Sequence, residues 1–215
     1  MTAWTMISKM SEGLGRTCSI FFLTLLFALP LGLLVSLLRM SRNKVVSSIM
    51  KAYISVLRGT PLMLQLLAVT YGPYYLFGIN VAREKLIPVV IAFSLNYAAY
   101  FAEIYRGGIE SMNRGQYEAA EVLGYSRIQC FMRIILPQVI KRIIPAVTNE
   151  VVTLVKDTSI AFTVAYQEMF TIGKQIANSQ TSFLPFVIAG VFYFIFNAIV
   201  GWVMGRFEKR MNYYR

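Results

Sequence analysis

The chain has 215 residues, of which 57% are hydrophobic and only 14% charged, with a mean hydropathy of +0.58. Soluble domains carry about 25% charged residues, so this chain lacks the polar side chains to cover itself in water and reads as an all-α integral membrane protein. Its 21 Lys and Arg against 10 Asp and Glu give a formal net charge of +11. A nucleic-acid binder shares that balance but has no use for long uncharged apolar runs, so no nucleic-acid partner is expected. Histidine is absent, which removes His-based acid–base catalysis, the usual Ser and Cys triads, and His metal sites. Cys18 and Cys130 form neither a CxxC motif nor a disulfide framework.

A helix rising 1.5 Å per residue needs about 20 mainly apolar residues to cross a bilayer. Five such spans are expected within a single membrane domain over 1–215, at about 18–38, 60–79, 86–105, 143–166 and 183–204. The first is uncharged, longer than the apolar core of a leader, and is followed by no small-residue cleavage site before Arg39; it is expected to be retained. The second is rich in Gly, Pro and Tyr, and the fourth contains charges. Between the first two spans, 43–57 is helix-compatible but interrupted by Ser and charge. It reads either as an interfacial helix or as a plain turn, with Pro61 suited to the first turn of the following helix.

Basic residues set the orientation. Fifteen Lys and Arg fall in the segment after span one, the segment after span three, and the tail, against five on the other side: Lys9, Arg16, Arg83, Lys85 and Lys174. That asymmetry places the N-terminus outside and the C-terminus in the cytoplasm, as an odd number of crossings requires.

The cytoplasmic segment 106–142 is far longer than a connection needs to be, and long insertions between compact elements are usually functional. Within it, 117–123 is made of good helix formers and Gly124 is placed to end that helix at C′. A second helix is expected from Ser126, an N-cap, towards Leu136, stopping before Pro137. Small Ala119, Ala120 and Gly124 let a short helix lie close to a partner's groove. Glu118 and Glu121 offer one sign of charge; Arg127 and Arg133 offer the other.

The spacing Glu118-Ala119-Ala120, three residues, Gly124, nine residues, Ile134-x-Leu136-Pro137 resembles the EAA motif of bacterial ABC-importer permeases. Arg58-Gly59-Thr60-Pro61-Leu62, Ala102-Glu103-Ile104-x-Arg106-Gly107-Gly108-Ile109, Gly115-Gln116, Ile135-Leu136-Pro137-Gln138 and Lys156-Asp157-Thr158-Ser159 resemble the polar amino-acid branch, whose substrates include glutamine, arginine, histidine and cystine. The resemblance runs from about Gly13 to the C-terminus. It implies a type I ABC-importer permease in the bacterial inner membrane, two ATPase subunits docked on the segment carrying Glu118 to Pro137, and an extracytoplasmic binding protein. It further implies that this helix transmits ATPase movement. One chain of five spans rarely forms a whole pathway, so a second copy or related permease is also expected.

The chain carries no ATPase site of its own. The only Gly-Lys pair, Gly173-Lys174, is followed by Gln175, and Glu168 stands where the first glycine of a P-loop belongs. ATP and Mg are therefore expected on the partner, with no cofactor here.

Span four supplies Asn149, Glu150, Thr153, Lys156 and Asp157, which at about 100° per residue fall within an arc of roughly 120°. A polar stripe on an otherwise apolar helix lines a cavity or a seam between helices. Glu150 and Asp157 suit a substrate ammonium or cationic side chain, and Lys156 a carboxylate. The structural alternative pairs Lys156 with Glu103 and ties Asp157 to helix-end amides. On span three, Asn96, Tyr100 and Glu103 share a face, and Tyr97 and Tyr100 offer rings to an amine; Gln65 is a further wall residue. A passive channel or ion-coupled carrier accounts for the stripe but leaves the EAA spacing unexplained. A lipid-binding scaffold accounts for neither.

Overall fold

The computed structural model describes residues 3–81 and 83–211. The first helix, α1 (Ala3–Arg39), is far longer than the expected 18–38. Its more polar N-terminal half is held by side-chain packing: Met6 and Met10 bury against Met169, Ile176 and Ala189.

Next comes α2 (Lys44–Gly59), so 43–57 is a helix and not a turn. Asn43 caps it, its Oδ1 accepting from Val45 N at 2.9 Å and from Val46 N at 3.4 Å. The helix stops because a residue before proline is forced out of the α region, and Thr60 is extended at φ −119°, ψ 148°. Pro61 stands just before α3 (Leu62–Phe77) rather than within its first turn. The two helices meet at 108°. The expected span at 60–79 is thus half of a broken element that begins at Lys44.

The break is closed by side chains. Leu57 O accepts from Gln65 Nε2 at 2.9 Å and from Asn96 Nδ2 at 3.0 Å, while Thr60 O accepts from Gln65 Nε2 at 3.0 Å. Gln65 Oε1 in turn accepts from Asn96 Nδ2 at 2.9 Å, and Thr60 Oγ1 donates to Val56 O at 2.8 Å.

The central helix is α4 (Leu86–Glu110), which contributes Phe93, Tyr97 and Phe101 to a core shared with Ile20 of α1 and Leu66 of α3. Gly32 makes the α1–α4 contact close. A Cβ there would stand 2.8 Å from Phe101 Cβ and 3.1 Å from Ala98 O.

The cytoplasmic hairpin follows as α5 (Arg114–Val122) and α6 (Arg127–Cys130). The second hairpin helix does not stop before Pro137. A π-helical turn over Phe131–Ile135 leads directly into α7 (Leu136–Asp157), with Leu136 N bonding five residues back to Phe131 O. Widening the helix there accommodates a proline ring that would otherwise strike the carbonyl four residues earlier.

The expected fourth span at 143–166 is corrected on both sides: α7 begins at Leu136, and Thr158–Val164 is a 3₁₀ turn. The chain ends with α8 (Met169–Gln180) and α9 (Leu184–Met211), the latter reaching past the expected 204. Among the described residues, α1, α4 and α9 are long and apolar enough to cross a membrane, and α2 with α3 adds a fourth if the bent pair is one span. At 22 residues α7 has the length, but its charges keep it outside that apolar class.

Outside these spans, buried Glu168 ties α8 to α9. Its carboxylate accepts from Phe170 N and Thr171 N, both at 2.6 Å, from Thr171 Oγ1 at 2.7 Å and from Tyr193 OH at 3.0 Å. Burial pushes this carboxyl above its ordinary range, and the donors from Thr171, Phe170 and Tyr193 pull it back.

Gly32→Ala should destabilise the chain by about 1–3 kcal/mol through overpacking, while Gly190→Ala, where nothing lies within 4 Å, should not; equal melting of the two in detergent would show that α1 has room to move. Gln65→Leu removes a donor from both Leu57 O and Thr60 O; Leu57 O keeps Asn96 Nδ2, so Thr60 O is the carbonyl orphaned, at about 1–3 kcal/mol. An unchanged unfolding midpoint would mean that the break is satisfied by other groups.

Candidate translocation site and cytoplasmic hairpin

The apolar side of α7 decides where its polar stripe points. Val151, Leu154 and Val155 are buried in the core, which leaves Asn149 and Lys156 exposed and Glu150, Thr153 and Asp157 half-buried on the opposite side. The stripe is therefore contiguous and open.

Its members differ in what already holds them. Asp157 Oδ2 accepts from Tyr97 OH at 2.7 Å, so it is fixed by a tyrosine of α4 and not by helix-end amides. Tyr97 is only 2% exposed, its ring packed near Tyr100 and Phe101, and is thereby spent on α7 rather than open to an amine. Lys156 does not pair with Glu103, because Glu103 is bound by Arg106, which also holds Glu110. An i, i+3 arginine on the same helix reaches that carboxylate before a lysine on another element does.

Glu150 makes no hydrogen bond or ion pair among the described residues, and its electrostatic neighbours include Arg58, Asp157 and Tyr97. It is the acid of the stripe left without a direct partner. Asn149 and Thr153 flank it.

Tyr100 already carries a cation: the Arg58 guanidinium sits 5.2 Å from its ring centroid. In sequence Arg58 stands out only as the first residue of Arg58-Gly59-Thr60-Pro61-Leu62, with no site role. The signal was its position in the last turn of a helix stopped by Thr60-Pro61, which aims a long cation at whatever packs across the break. Gln65 and Asn96, one expected as a pathway wall and the other as part of the α4 face, lie together at that break and bond to each other.

The cytoplasmic hairpin is a separate unit. Asn113 caps α5 by accepting from Gly115 N at 2.9 Å, so the helix starts before the expected 117. Gly124 ends it at φ +79°, a conformation a side chain strains. The closing bonds run from Gly124 N to Glu121 O at 3.0 Å and from Tyr125 N to Ala120 O at 2.9 Å, the Schellman arrangement.

Ser126 and Gln129 form a reciprocal capping box at the start of α6. Ala120 is buried with Cys130, Ile135 and Val139 inside the hairpin, so its small size serves this packing; Ala119 is exposed. Glu118, Arg127, Arg133 and Pro137 are exposed, and Ile134 and Leu136 half-buried. Gln116 and Gln138 exchange two amide bonds at 3.0 and 2.9 Å, locking α5 to α7. The tip then presents Val122 at 88% exposure and Ile128 at 77%, beside Leu123 and Met132. An apolar cluster ringed by both signs of charge is the anatomy of a docking surface.

Residues 28–213 match the family of binding-protein-dependent transport system inner membrane components. The L-cystine transport system permease protein TcyL of Bacillus subtilis is 38% identical over 211 residues, 96% of this chain and 88% of the relative. The arginine transport system permease protein ArtQ of the same organism is 34% identical over 202 residues, covering 94% and 91%. The nopaline transport system permease protein NocM of Agrobacterium fabrum is 34% identical over 200 residues, covering 89% and 83%.

Among solved structures, an amino acid ABC transporter with histidines superposes with a TM-score of 0.87 at 31% identity, over 98% of this chain and 100% of that one. The MetNI methionine ABC transporter in an inward-facing conformation shares the fold, with a TM-score of 0.73 at 17% identity over 99% and 100%. Broken second element, central α4, open stripe on α7 and capped hairpin all lie within the stretch matched: the chain belongs to the inner-membrane components of binding-protein-dependent transport systems.

Proposed function

We propose that the chain is the permease subunit of an ATP-driven importer for a polar or charged amino acid, in the arginine, glutamine, histidine or cystine class, in the bacterial inner membrane. The relatives whose names specify arginine, cystine and nopaline support that class. The observation that carries the reading is the hairpin: a Schellman-closed helix, locked to α7 by Gln116 and Gln138, with an exposed apolar tip.

Five crossings follow when the bent pair counts as one and α7, whose stripe faces a polar pathway rather than lipid, is added to α1, α4 and α9. The N-terminus then lies outside and the C-terminus in the cytoplasm. Two ATPase subunits dock on the hairpins of this chain and of a second copy or related permease, and an extracytoplasmic binding protein supplies the substrate. ATP and Mg stay on the ATPase.

ATP binding favours one arrangement of the ATPase pair, and differential affinity for the two states moves the permease between outward and inward access. Glu150, with Asn149 and Thr153 beside it, meets the substrate's cationic group. Asp157, braced by Tyr97, adds negative potential two turns away, and Tyr100 belongs to the surrounding wall, while Gln65 serves the α2–α3 break.

Gly124→Glu puts charge and a side chain at the hairpin tip. The chain should remain in the membrane while ATPase recovery in a mild-detergent pull-down and ATP-driven uptake fall about tenfold or more, the loss expected for about 1.4 kcal/mol at an interface. Gly124→Ala separates backbone strain from charge. Normal uptake by the Glu variant, or uptake that persists without ATP, would overturn the coupling assignment. Glu150→Gln should shift substrate affinity or preference by a similar factor, with cationic amino acids affected most. Unchanged kinetics across an amino-acid panel would make Glu150 a structural residue.

A further inference from the structure

At the ends of α1 and α4 that bear most of the arginines, a cavity of about 260 Å³ is lined by Arg39, Lys51, Ser55, Arg58, Glu103 and Arg106. Packing fixes this arrangement. Tyr53, Ile54 and Leu57 of α2 lie against Val35 of α1 and Ala99 and Ala102 of α4. Lys51, Ser55 and Arg58, at i, i+4 and i+7, therefore share the adjoining face.

Two of the cations are held in place before any ligand arrives. Arg39 Nη1 donates to Ser47 Oγ at 2.7 Å, and Ser47 Oγ donates back to Arg39 O at 2.7 Å. Arg58 rests on the Tyr100 ring. Arg106 is neutralised by Glu103 and Glu110. No carboxylate among the described residues lies within ion-pair distance of Arg39, Lys51 or Arg58; Glu103 acts on Arg39 and Arg58, and Glu150 on Arg58, only through space. Three cations from two helices thus converge on one space without a bound counter-charge.

We infer that this cavity, lined by Arg39, Lys51 and Arg58, binds a phosphate group at the cytoplasmic surface of the membrane. A phosphate brings three acceptor oxygens, which match guanidinium forks and a lysine donor converging from different helices. An amino-acid zwitterion fits poorly, because its ammonium would enter a ring of positive charge. With the orientation proposed above the cavity lies on the cytoplasmic side, so the phosphate belongs either to an anionic phospholipid or to a soluble phosphate. The inference rests on the orientation proposed above but not on amino-acid transport, and its readout is independent of uptake.

The test is thermal unfolding of the full chain, purified with whatever subunits accompany it. The discs contain phosphatidylcholine alone, phosphatidylcholine with phosphatidylglycerol, or phosphatidylcholine with added inorganic phosphate at matched ionic strength. Lys51 is exposed and makes no hydrogen bond or ion pair among the described residues, so Lys51→Gln and Lys51→Gln/Arg58→Gln are compared with wild type, and Lys44→Gln, outside the cavity, is the control matched in charge to the single variant.

The unfolding midpoint of wild type should rise with phosphatidylglycerol, with phosphate, or with both. Its apparent affinity for that ligand should fall about tenfold or more in the double variant, in keeping with the loss of charge-assisted hydrogen bonds, and stay unchanged in Lys44→Gln. A response to phosphatidylglycerol alone assigns a lipid headgroup; a response to inorganic phosphate assigns a soluble phosphate. No response in wild type, or a response that survives in the double variant or is lost equally in Lys44→Gln, overturns the site.

Discussion

A backbone carbonyl left without a donor where protein packing keeps water out is costly, and that constraint governs the break between α2 and α3. Thr60-Pro61 ends one helix and starts another at 108°, freeing the carbonyls of Leu57 and Thr60 from helical bonding. Gln65 and Asn96 answer it from two elements at once, bonding to Leu57 O, to Thr60 O and to each other. Because Asn96 belongs to α4, closing the break also fastens α2 to the central helix. The direction of Arg58, and with it the basic face of α2, follows from that fastening. A polar pair that resembles pathway lining in sequence is in the fold the clasp that closes the break between α2 and α3.

The same economy runs through the charged groups. Glu103 is spent on Arg106, Asp157 on Tyr97, and Glu168 on the amides that begin α8 and on Tyr193. Buried carboxylates held by neutral donors or by a cation on their own helix avoid leaving an isolated ion in a medium of low dielectric. What remains after these internal settlements is informative. Glu150 in the stripe, and Lys51, Arg39 and Arg58 around one cavity, have no ion-pair partner among the described residues, and these are the groups to which ligands are assigned.

The apolar cores of α1, α4 and α9 were legible because long uncharged runs have few alternatives. The stripe on α7 was legible from its 3.6-residue period, and Gly124 from the one residue type that ends a helix at positive φ without strain. The junction at Thr60-Pro61 was visible, but its consequence was not, since composition is alike on both sides and the bend is set by what α2 packs against. Pro137 misled for a different reason. Proline ends a regular helix, yet the π turn at Phe131–Ile135 removes the clash, and nothing in the local composition announces that turn. Tyr97 and Asp157 were each read as facing a substrate because a sequence shows residue types and not which pairs of them meet across helices.

The π turn gives the hairpin its mechanical meaning within the proposed function. From Arg127 to Asp157 the backbone is helical without an intervening loop, so the exposed tip and the stripe are parts of one continuous rod. About 22 residues separate Ile128 from Glu150, roughly 33 Å at 1.5 Å per residue. A displacement of the tip reaches Glu150 through that rod. Gln116 and Gln138 keep α5 bound to its base, so the whole hairpin moves with it. The tight contact between Gly108 and α7, where a Cβ would stand 2.3 Å from Ile143 Cγ2, supplies a point on α4 about which the rod is held. Packed interfaces of this kind have discrete arrangements rather than a continuum of them, which is the property that a two-state pump needs from the element joining its motor to its pathway.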